Sequence, residues 1–236
     1  MRRVAVLMLV CAIPSAPLAA QFEGTIHMKM SSADGRSEPM TMTMVMKGDK
    51  EVSIMSMPAS AGPMAGMEMR SIYDATTNTL TALMPMPPGM PAMPGMGDAK
   101  GIKTVMDMSK MSPRSDEKVD IKKLGTSEKI AGLDCDDYEI TQGSGKVSRA
   151  CITQSIGKFV FPGGFGGMGR RGNSAPPGWA RAFGDKPGFP LKVWSADGGV
   201  DLEVTSVEKG SVPASVFEIP AGYVDMAGMR GRGGIQ

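Results

Sequence analysis

Aromatic residues and histidine are scarce in this sequence. Phe, Trp and Tyr make up 5% of its 236 residues, and His27 is the one histidine. One histidine is too few for a common zinc site, and it gives a Ser-His-Asp triad a single candidate base. The Gly-x-Ser-x-Gly turn that presents a nucleophilic serine is absent as well. The sequence therefore argues against an enzyme, and we expect no catalytic residues and no resident cofactor.

A clear excess of positive charge is missing too. The chain carries 26 basic and 24 acidic residues, and two of the basic ones, Arg2 and Arg3, stand at its start. Without these two arginines the opposite charges balance. A protein that binds nucleic-acid phosphates needs a marked basic excess. We therefore predict no nucleic-acid partner.

No apolar run is long enough to cross a membrane as a helix, which needs about 20 apolar residues. The uncharged stretch 4–20 follows the two arginines, contains two prolines and ends in Ala19 and Ala20. A basic start, a short apolar core and a small-residue end are typical of a cleavable signal peptide. The sequence thus predicts that residues 1–20 are removed, and that the mature chain is periplasmic or secreted and has no transmembrane anchor.

Cysteine is rare, with three copies in the chain. Cys11 lies in the predicted signal peptide, which leaves Cys135 and Cys151. The sequence contains no Cys-x-x-Cys pair, the motif that would indicate redox catalysis. An oxidising compartment favours a structural disulfide between the two. Closing a loop of this length stabilises a fold by roughly 3 kcal/mol in the chain-entropy account.

Short alternating stretches dominate what remains. Residues 40–46 read Met, Thr, Met, Thr, Met, Val, Met, and period two places the four methionines on one face of a strand. Turn residues at 76–78 join two further stretches into a hairpin. The pattern predicts a mainly β fold, a single antiparallel and strongly curved sheet with one or two short covering helices. We expect those helices at residues 98–111 and near Trp179.

One domain is predicted, at residues 21–225, with a flexible Gly/Arg-rich tail at 226–236. Inside the domain, residues 84–97 alternate Met with Pro and Gly. Proline lacks the N–H that a strand needs, so this stretch is predicted to be a loop.

Two groups of polar residues lie on the predicted strands of the second half. Asp134, Asp136 and Asp137 flank Cys135, and we interpret them as a solvated face rather than as an acid–base pair. Lys192 and Trp194 are interpreted as a surface stripe.

Five stretches together form a recognisable pattern: FEGTI at 22–26, MKGDK at 46–50, GTSEKIAGLDC at 125–135, FPLKV at 189–193, and 212–223, which ends in FEIPAGY. They resemble the DUF4412 family of exported bacterial proteins, which is similar in architecture to the periplasmic lipoprotein carriers LolA and LolB. The resemblance implies an incomplete β-barrel of about eleven antiparallel strands, with helices over its concave face. It supplies no catalytic residues.

Methionine is the unusual abundance. The chain has 24 methionines, and 19 of them lie between Met28 and Met111. Three interpretations stay open beside a role as a sink for oxidants. The first is core packing, because methionine is a flexible apolar filler.

The second interpretation is a carrier. A concave sheet lined with methionine is apolar and deformable, which suits an apolar small molecule, a lipid or a lipoprotein. Each methylene removed from water contributes about 0.8 kcal/mol, so an acyl chain can bind without specific polar contacts. Contact with a membrane would be transient. The predicted ligand-binding residues are Met40, Met42, Met44, Met46, Met55 and Met57.

The third interpretation is copper. Thioether sulfur is a soft ligand that selects Cu(I), and residues i and i+2 of a strand share a face. Histidine nitrogen could complete such a site. The alternative copper ligands are Met90, Met93, Met96, His27 and Met28.

Overall fold

The structure is a computed structural model that describes residues 22–31, 38–87, 98–110, 118–160, 179–180 and 188–225. The predicted signal peptide and the Gly/Arg tail lie outside the described residues, as does most of the Met/Pro-rich stretch. Of the residues described, none belongs to a helix with the length and apolar character needed to cross a membrane.

Twelve strands form one sheet. Their bounds are β1 Glu23–Met30, β2 Met40–Lys47, β3 Lys50–Ser56, β4 Glu68–Asp74, β5 Thr79–Pro85, β6 Gly101–Asp107, β7 Val119–Ile130, β8 Leu133–Gln142, β9 Val147–Thr153, β10 Phe189–Trp194, β11 Val200–Lys209 and β12 Tyr223–Asp225. The short helical pieces are 3-10 segments at Ala59–Met64, Met108–Lys110 and Ala214–Phe217, with a helical pair at Trp179 and Ala180. The predicted mainly β class is confirmed.

Strand order in the sheet is β12-β6-β5-β4-β3-β2-β1-β11-β10-β9-β8-β7. All neighbours are antiparallel except β12, which pairs in parallel with β6. The sheet is open, and β12 and β7 are its two edge strands. The first strand, β1, therefore lies in the interior, where it pairs with β2 on one side and with the late strand β11 on the other.

Both faces of the first half of the sheet are covered. One face contributes to the larger apolar cluster, which includes Met44, Phe159 and Trp179. The other face packs Val45 and Val52 against Val212, with the 3-10 segment Ala214–Phe217 adding partly buried side chains. Two hydrogen bonds hold that second cover at Val212. Its carbonyl accepts from Lys47 Nζ at 2.7 Å, and its N–H donates to Glu23 Oε1 at 2.7 Å.

The helix predicted at residues 98–111 is wrong. Residues 101–107 form β6, paired with β5 throughout its length, and a single 3-10 turn follows. Ile102, Val105 and Met106 have a helix-like spacing, but Val105 is 52% exposed because it lies on the outer side of the strand. Pairing with a neighbouring strand overrides a weak local preference. The sheet also has twelve strands where about eleven were implied by the resemblance.

Candidate functional site

The methionines of the first four strands lie on a single face of the sheet. We call it the methionine face and define it by Met28, Met30, Met40, Met42, Met44, Met46, Met55 and Met69. This shared face follows from alternation and from register. Methionines two residues apart on one strand share a face, and so do register partners on neighbouring strands.

A row of four methionines runs straight across this face. Met28 is the register partner of Met42, Met42 of Met55, and Met55 of Met69. Directly opposed side chains on antiparallel strands have Cβ atoms about 4.5–5.5 Å apart. Four thioethers on four consecutive strands therefore form a continuous contact surface, which we call the methionine row.

This surface is buried in the structure. Met44 is 0% exposed, and Met28 and Met42 are each 1% exposed. The cover includes the segment 154–160, which contributes Ile156 and Phe159 to the same apolar cluster. Phe159 packs edge-to-face on Phe189, with ring centroids 5.2 Å apart.

The structure brings all six predicted ligand-binding residues to one apolar cluster. Met42, Met44, Met46 and Met55 are buried members of the cluster, and Met40 packs against it partly buried. Met57 also packs against the cluster, but it lies beyond the end of β3, where its N–H donates to Met67 O. What the structure shows for these residues is a filled apolar layer.

Of the alternative copper ligands, the structure describes His27 and Met28 and does not bring them together. His27 and Met28 are consecutive on β1, so their side chains point to opposite faces. His27 Nδ1 lies 3.1 Å from Thr43 Oγ1, and its Nε2 lies 3.8 Å from Glu208 Oε1, both on the side away from the methionines. Met90, Met93 and Met96 lie outside the described residues.

A carboxyl group sits on the methionine face, and sequence reasoning missed it. Glu51 is 5% exposed, with Met46 as its register partner on β2 and Tyr73 on β4. Its Oε1 accepts a hydrogen bond from Ser53 Oγ at 3.3 Å, and the backbone N–H of Val160 donates to the same carboxyl. Burial raises its pKa to about 8. The sequence did contain a signal for this placement. Glu51, Ser53 and Met55 are two residues apart on one strand, so Glu51 shares the face of Met55.

Asp137 corrects the prediction of a solvated acidic face on β8. This residue is 0% exposed, whereas its neighbour Asp136 is partly exposed and pairs with Lys123 at 2.6 Å. Asp137 Oδ2 accepts from Arg149 at 2.8 Å and from Thr126 Oγ1 at 2.6 Å. The register shift between β7 and β8 brings Thr126 over the carboxylate.

A charged cluster surrounds that buried aspartate. Arg149 bridges Asp137 and Glu128, and its guanidinium carbon lies 4.5 Å from the ring centre of Trp194. Lys192 also approaches Trp194, at 5.3 Å, and pairs with Glu203 at 2.7 Å. The predicted surface stripe is thus a half-buried network of ion pairs and cation–π contacts. Both of the contacts that Asp137 receives go to its Oδ2, whereas its buried Oδ1 has no hydrogen-bond partner among the described residues.

The predicted disulfide is present between Cys135 and Cys151, which are 4% and 0% exposed. It joins β8 to β9 beside Asp137, since Asp137 is the register partner of Cys151. Among the described residues, no three His, Cys, Asp or Glu side chains come together in a group that could hold a metal ion.

Comparison with known proteins gives a family and several solved structures, among them PNGF-II and a LolA superfamily protein. A family model described as "Domain of unknown function (DUF4412)" matches residues 22–223. The structure of PNGF-II in space group C2 is similar with a TM-score of 0.46 and 13% identity, over 88% of this chain and 32% of that one. This chain thus spans about a third of that protein. The LolA superfamily protein NE2245 from Nitrosomonas europaea is similar with a TM-score of 0.28 and 12% identity, over 86% of this chain and 91% of that one. No curated protein matches.

Proposed function

This chain belongs to the DUF4412 family, as the resemblance predicted, and from that premise and its geometry we propose that it is a non-enzymatic binding protein for an apolar ligand. The ligand class is a lipid or an acylated partner, and the site is the methionine face. We place the protein in the periplasm or outside the cell, in keeping with the basic and apolar start of the sequence.

The observation that carries the proposal is the continuous methionine row. A core built only for stability favours leucine, isoleucine and valine, whose rotamers are better defined. Methionine instead gives a surface that can repack around ligands of different shape. Here such a surface spans four neighbouring strands without interruption by another residue type.

The cover of the methionine face has to move for a ligand to bind. The segment 154–160 belongs to no strand of the sheet. Val160 N–H donates to Glu51, Phe159 N–H donates to Gly188 O at 3.3 Å, and Ser155 N–H donates to Thr153 Oγ1 at 3.3 Å. Segments outside the strand ladders open at lower free energy than core strands. We therefore propose that this segment gives way to the ligand.

The test is native mass spectrometry of the mature protein purified under mild conditions. We expect an additional mass in the phospholipid or acyl range, and uptake of the apolar fluorophore N-phenyl-1-naphthylamine. A protein that carries no such mass and binds no apolar probe contradicts the proposal. Variants of the methionine face need a matched control. Thr41 and Thr43 lie on the opposite face of β2, and replacing both by valine leaves the methionine face unchanged.

A Cu(I)-binding role is the second candidate, and the same row of adjacent thioethers is what favours it. Changing the four methionines of the row, Met28, Met42, Met55 and Met69, to leucine separates the two functions, because it keeps the apolar surface and removes the sulfur of the row. A binding protein for apolar ligands keeps its affinity for the fluorophore in this variant. A copper protein loses Cu(I), measured by competition with a chromogenic Cu(I) chelator.

A further inference from the structure

In strands β1 to β6, Glu51 is the one residue of an ionisable acidic or basic type (Asp, Glu, Lys or Arg) on the methionine face of the sheet. Alternation assigns Ile26, the eight residues of the methionine face, Ser53, Ser71 and Ala82 to that face, and Lys29, Lys47, Lys50 and Arg70 to the other. In the described part of these strands, no basic side chain shares the face of Glu51. A buried carboxyl without a cationic partner is costly. Such groups cluster at functional sites.

We propose that Glu51 anchors the positively charged, hydrogen-bond-donating head of an apolar ligand, of the alkylammonium class. The proposal rests on the proposed function, since it assigns the ligand's apolar body to the methionine face. A protonated amine supplies the compensating positive charge that Glu51 lacks. It also supplies N–H donors for the carboxyl oxygens.

The geometry fits a ligand with a head at one end. Glu51, Ser53 and Met55 lie in line along β3 on the same face. A strand rises about 3.4 Å per residue, so the carboxyl lies roughly 13 Å from the methionine row. Between them, Ser53 and its register partner Ser71 form a short polar step on an otherwise apolar path. The hydroxyl of Ser53, which already contacts Glu51, offers the head a second acceptor.

In the structure the backbone of the cover lies where the head of the ligand would bind. The N–H of Val160 donates to Glu51, which is the contact that an ammonium N–H would replace. Displacing Val160 uncovers the carboxyl, and movement of the whole segment also breaks the ring contacts of Phe159 with Phe189 and Trp179, which uncovers the apolar face. The contact of Val160 with Glu51 thus closes the site and lies where the head of the ligand would bind.

Binding should be coupled to a proton. The groups that face Glu51 are Met46 from β2 and Tyr73 from β4, and the basic residue of the covering segment, Lys158, is exposed. None of them supplies a neutralising positive charge, and the pKa of Glu51 is accordingly raised to about 8. At pH 7 the carboxyl is mostly protonated, so pairing with an ammonium releases close to one proton per ligand bound.

The experiment is isothermal titration of the mature protein with dodecylamine, dodecanol and dodecanoate, each below its micelle-forming concentration. Two buffers of different ionisation enthalpy report proton release. We expect dodecylamine to bind about tenfold or more tightly than dodecanol, with proton release at pH 7. In Glu51→Gln the amine should lose that preference and its proton release, while dodecanol binds as before. Glu68→Gln, an exposed change on the opposite face of β4, is the control.

Equal affinity for amine, alcohol and carboxylate contradicts the assignment of Glu51 and leaves the apolar-ligand function standing. An amine preference that survives in Glu51→Gln contradicts it in the same way. Failure of all three probes to bind contradicts both proposals. Glutamine keeps the acceptor oxygen for Val160 and Ser53, so the variant is expected to fold, and circular dichroism verifies this.

Discussion

At the residue scale, Glu51 sets the strongest constraint on the chain. Its carboxyl is enclosed by thioethers and hydroxyls, and a low-dielectric environment disfavours the ionised form. The native state therefore keeps a proton that the unfolded chain, with an ordinary Glu pKa near 4.5, releases. Ionisation of one residue thus opposes folding at neutral pH.

The pH dependence of stability follows with a definite sign. The folded pKa of about 8 exceeds the unfolded value of 4.5, so the free energy of unfolding falls as pH rises between these values. Glu51→Gln removes this fall, and we expect it to stabilise the protein at pH 8 by roughly 2–4 kcal/mol relative to pH 4.5. Urea denaturation of both proteins across this range measures it. Parallel curves for the two proteins contradict the account.

Asp137 is a buried carboxylate that does have a cationic partner, so removal of that partner should destabilise the protein. Arg149→Met leaves Asp137 fully buried with Thr126 as its remaining donor. Removing one partner of a buried ion pair costs about 3–5 kcal/mol, and the half-exposed arginine places this case at the lower end. Lys123→Met, which breaks the exposed pair with Asp136, should cost much less, because solvent screens that pair. Denaturant midpoints of the two variants give the comparison, and similar losses refute it.

At the scale of elements, alternation predicted most of the strands. It could not predict how deeply each face of a strand is buried. Residues 40–46 form β2 with the methionines on the predicted face. The same period-two reading placed Asp137 in solvent, because the sequence shows which residues share a face but not which neighbour covers them. The sequence predicts a helix at β6 because three of its apolar residues have helical spacing. Its register partners on β5 lie 16 to 28 residues away, from Pro85–Gly101 to Thr79–Asp107, which is beyond any local pattern. Glu51 was missed as a site because it follows a turn, where an acidic residue is ordinary.

The methionine face gives an element-scale prediction. Thioethers oxidise to sulfoxides according to their exposure. Met42 and Met44 on β2 are buried, whereas Met64, in the 3-10 segment after β3, is partly exposed. Under dilute peroxide we expect Met64 to oxidise first and the two strand methionines at least about tenfold more slowly, since their oxidation requires local opening. Peptide mass spectrometry reads the order. Equal rates would mean that the face is open in solution.

At the scale of the whole molecule, the pairing of β1 with β11 dominates. Gly24 is the register partner of Lys209, so the two ends of the domain meet in the middle of the sheet. Contacts between residues this far apart along the chain require closure of a long loop, which slows folding.

This topology predicts slow folding. All-β domains with mainly non-local contacts fold in roughly milliseconds to seconds, and we expect this chain at the slow end with its disulfide intact. Trp179 and Trp194 lie in or against the main apolar cluster, so their fluorescence reports its formation. Stopped-flow refolding from urea measures the rate. A microsecond phase that carries the full fluorescence change contradicts the prediction.

The interior position of β1 also has a consequence for how the chain is made. During synthesis β1 emerges long before β11, because its register partners on that strand lie 172 to 185 residues later in the chain, from Met30–Leu202 to Gly24–Lys209. Until β11 emerges, one edge of β1 stays open to any passing strand, its own or a neighbour's. We expect wrong pairing of this edge in the interval before residues 200–209 have emerged.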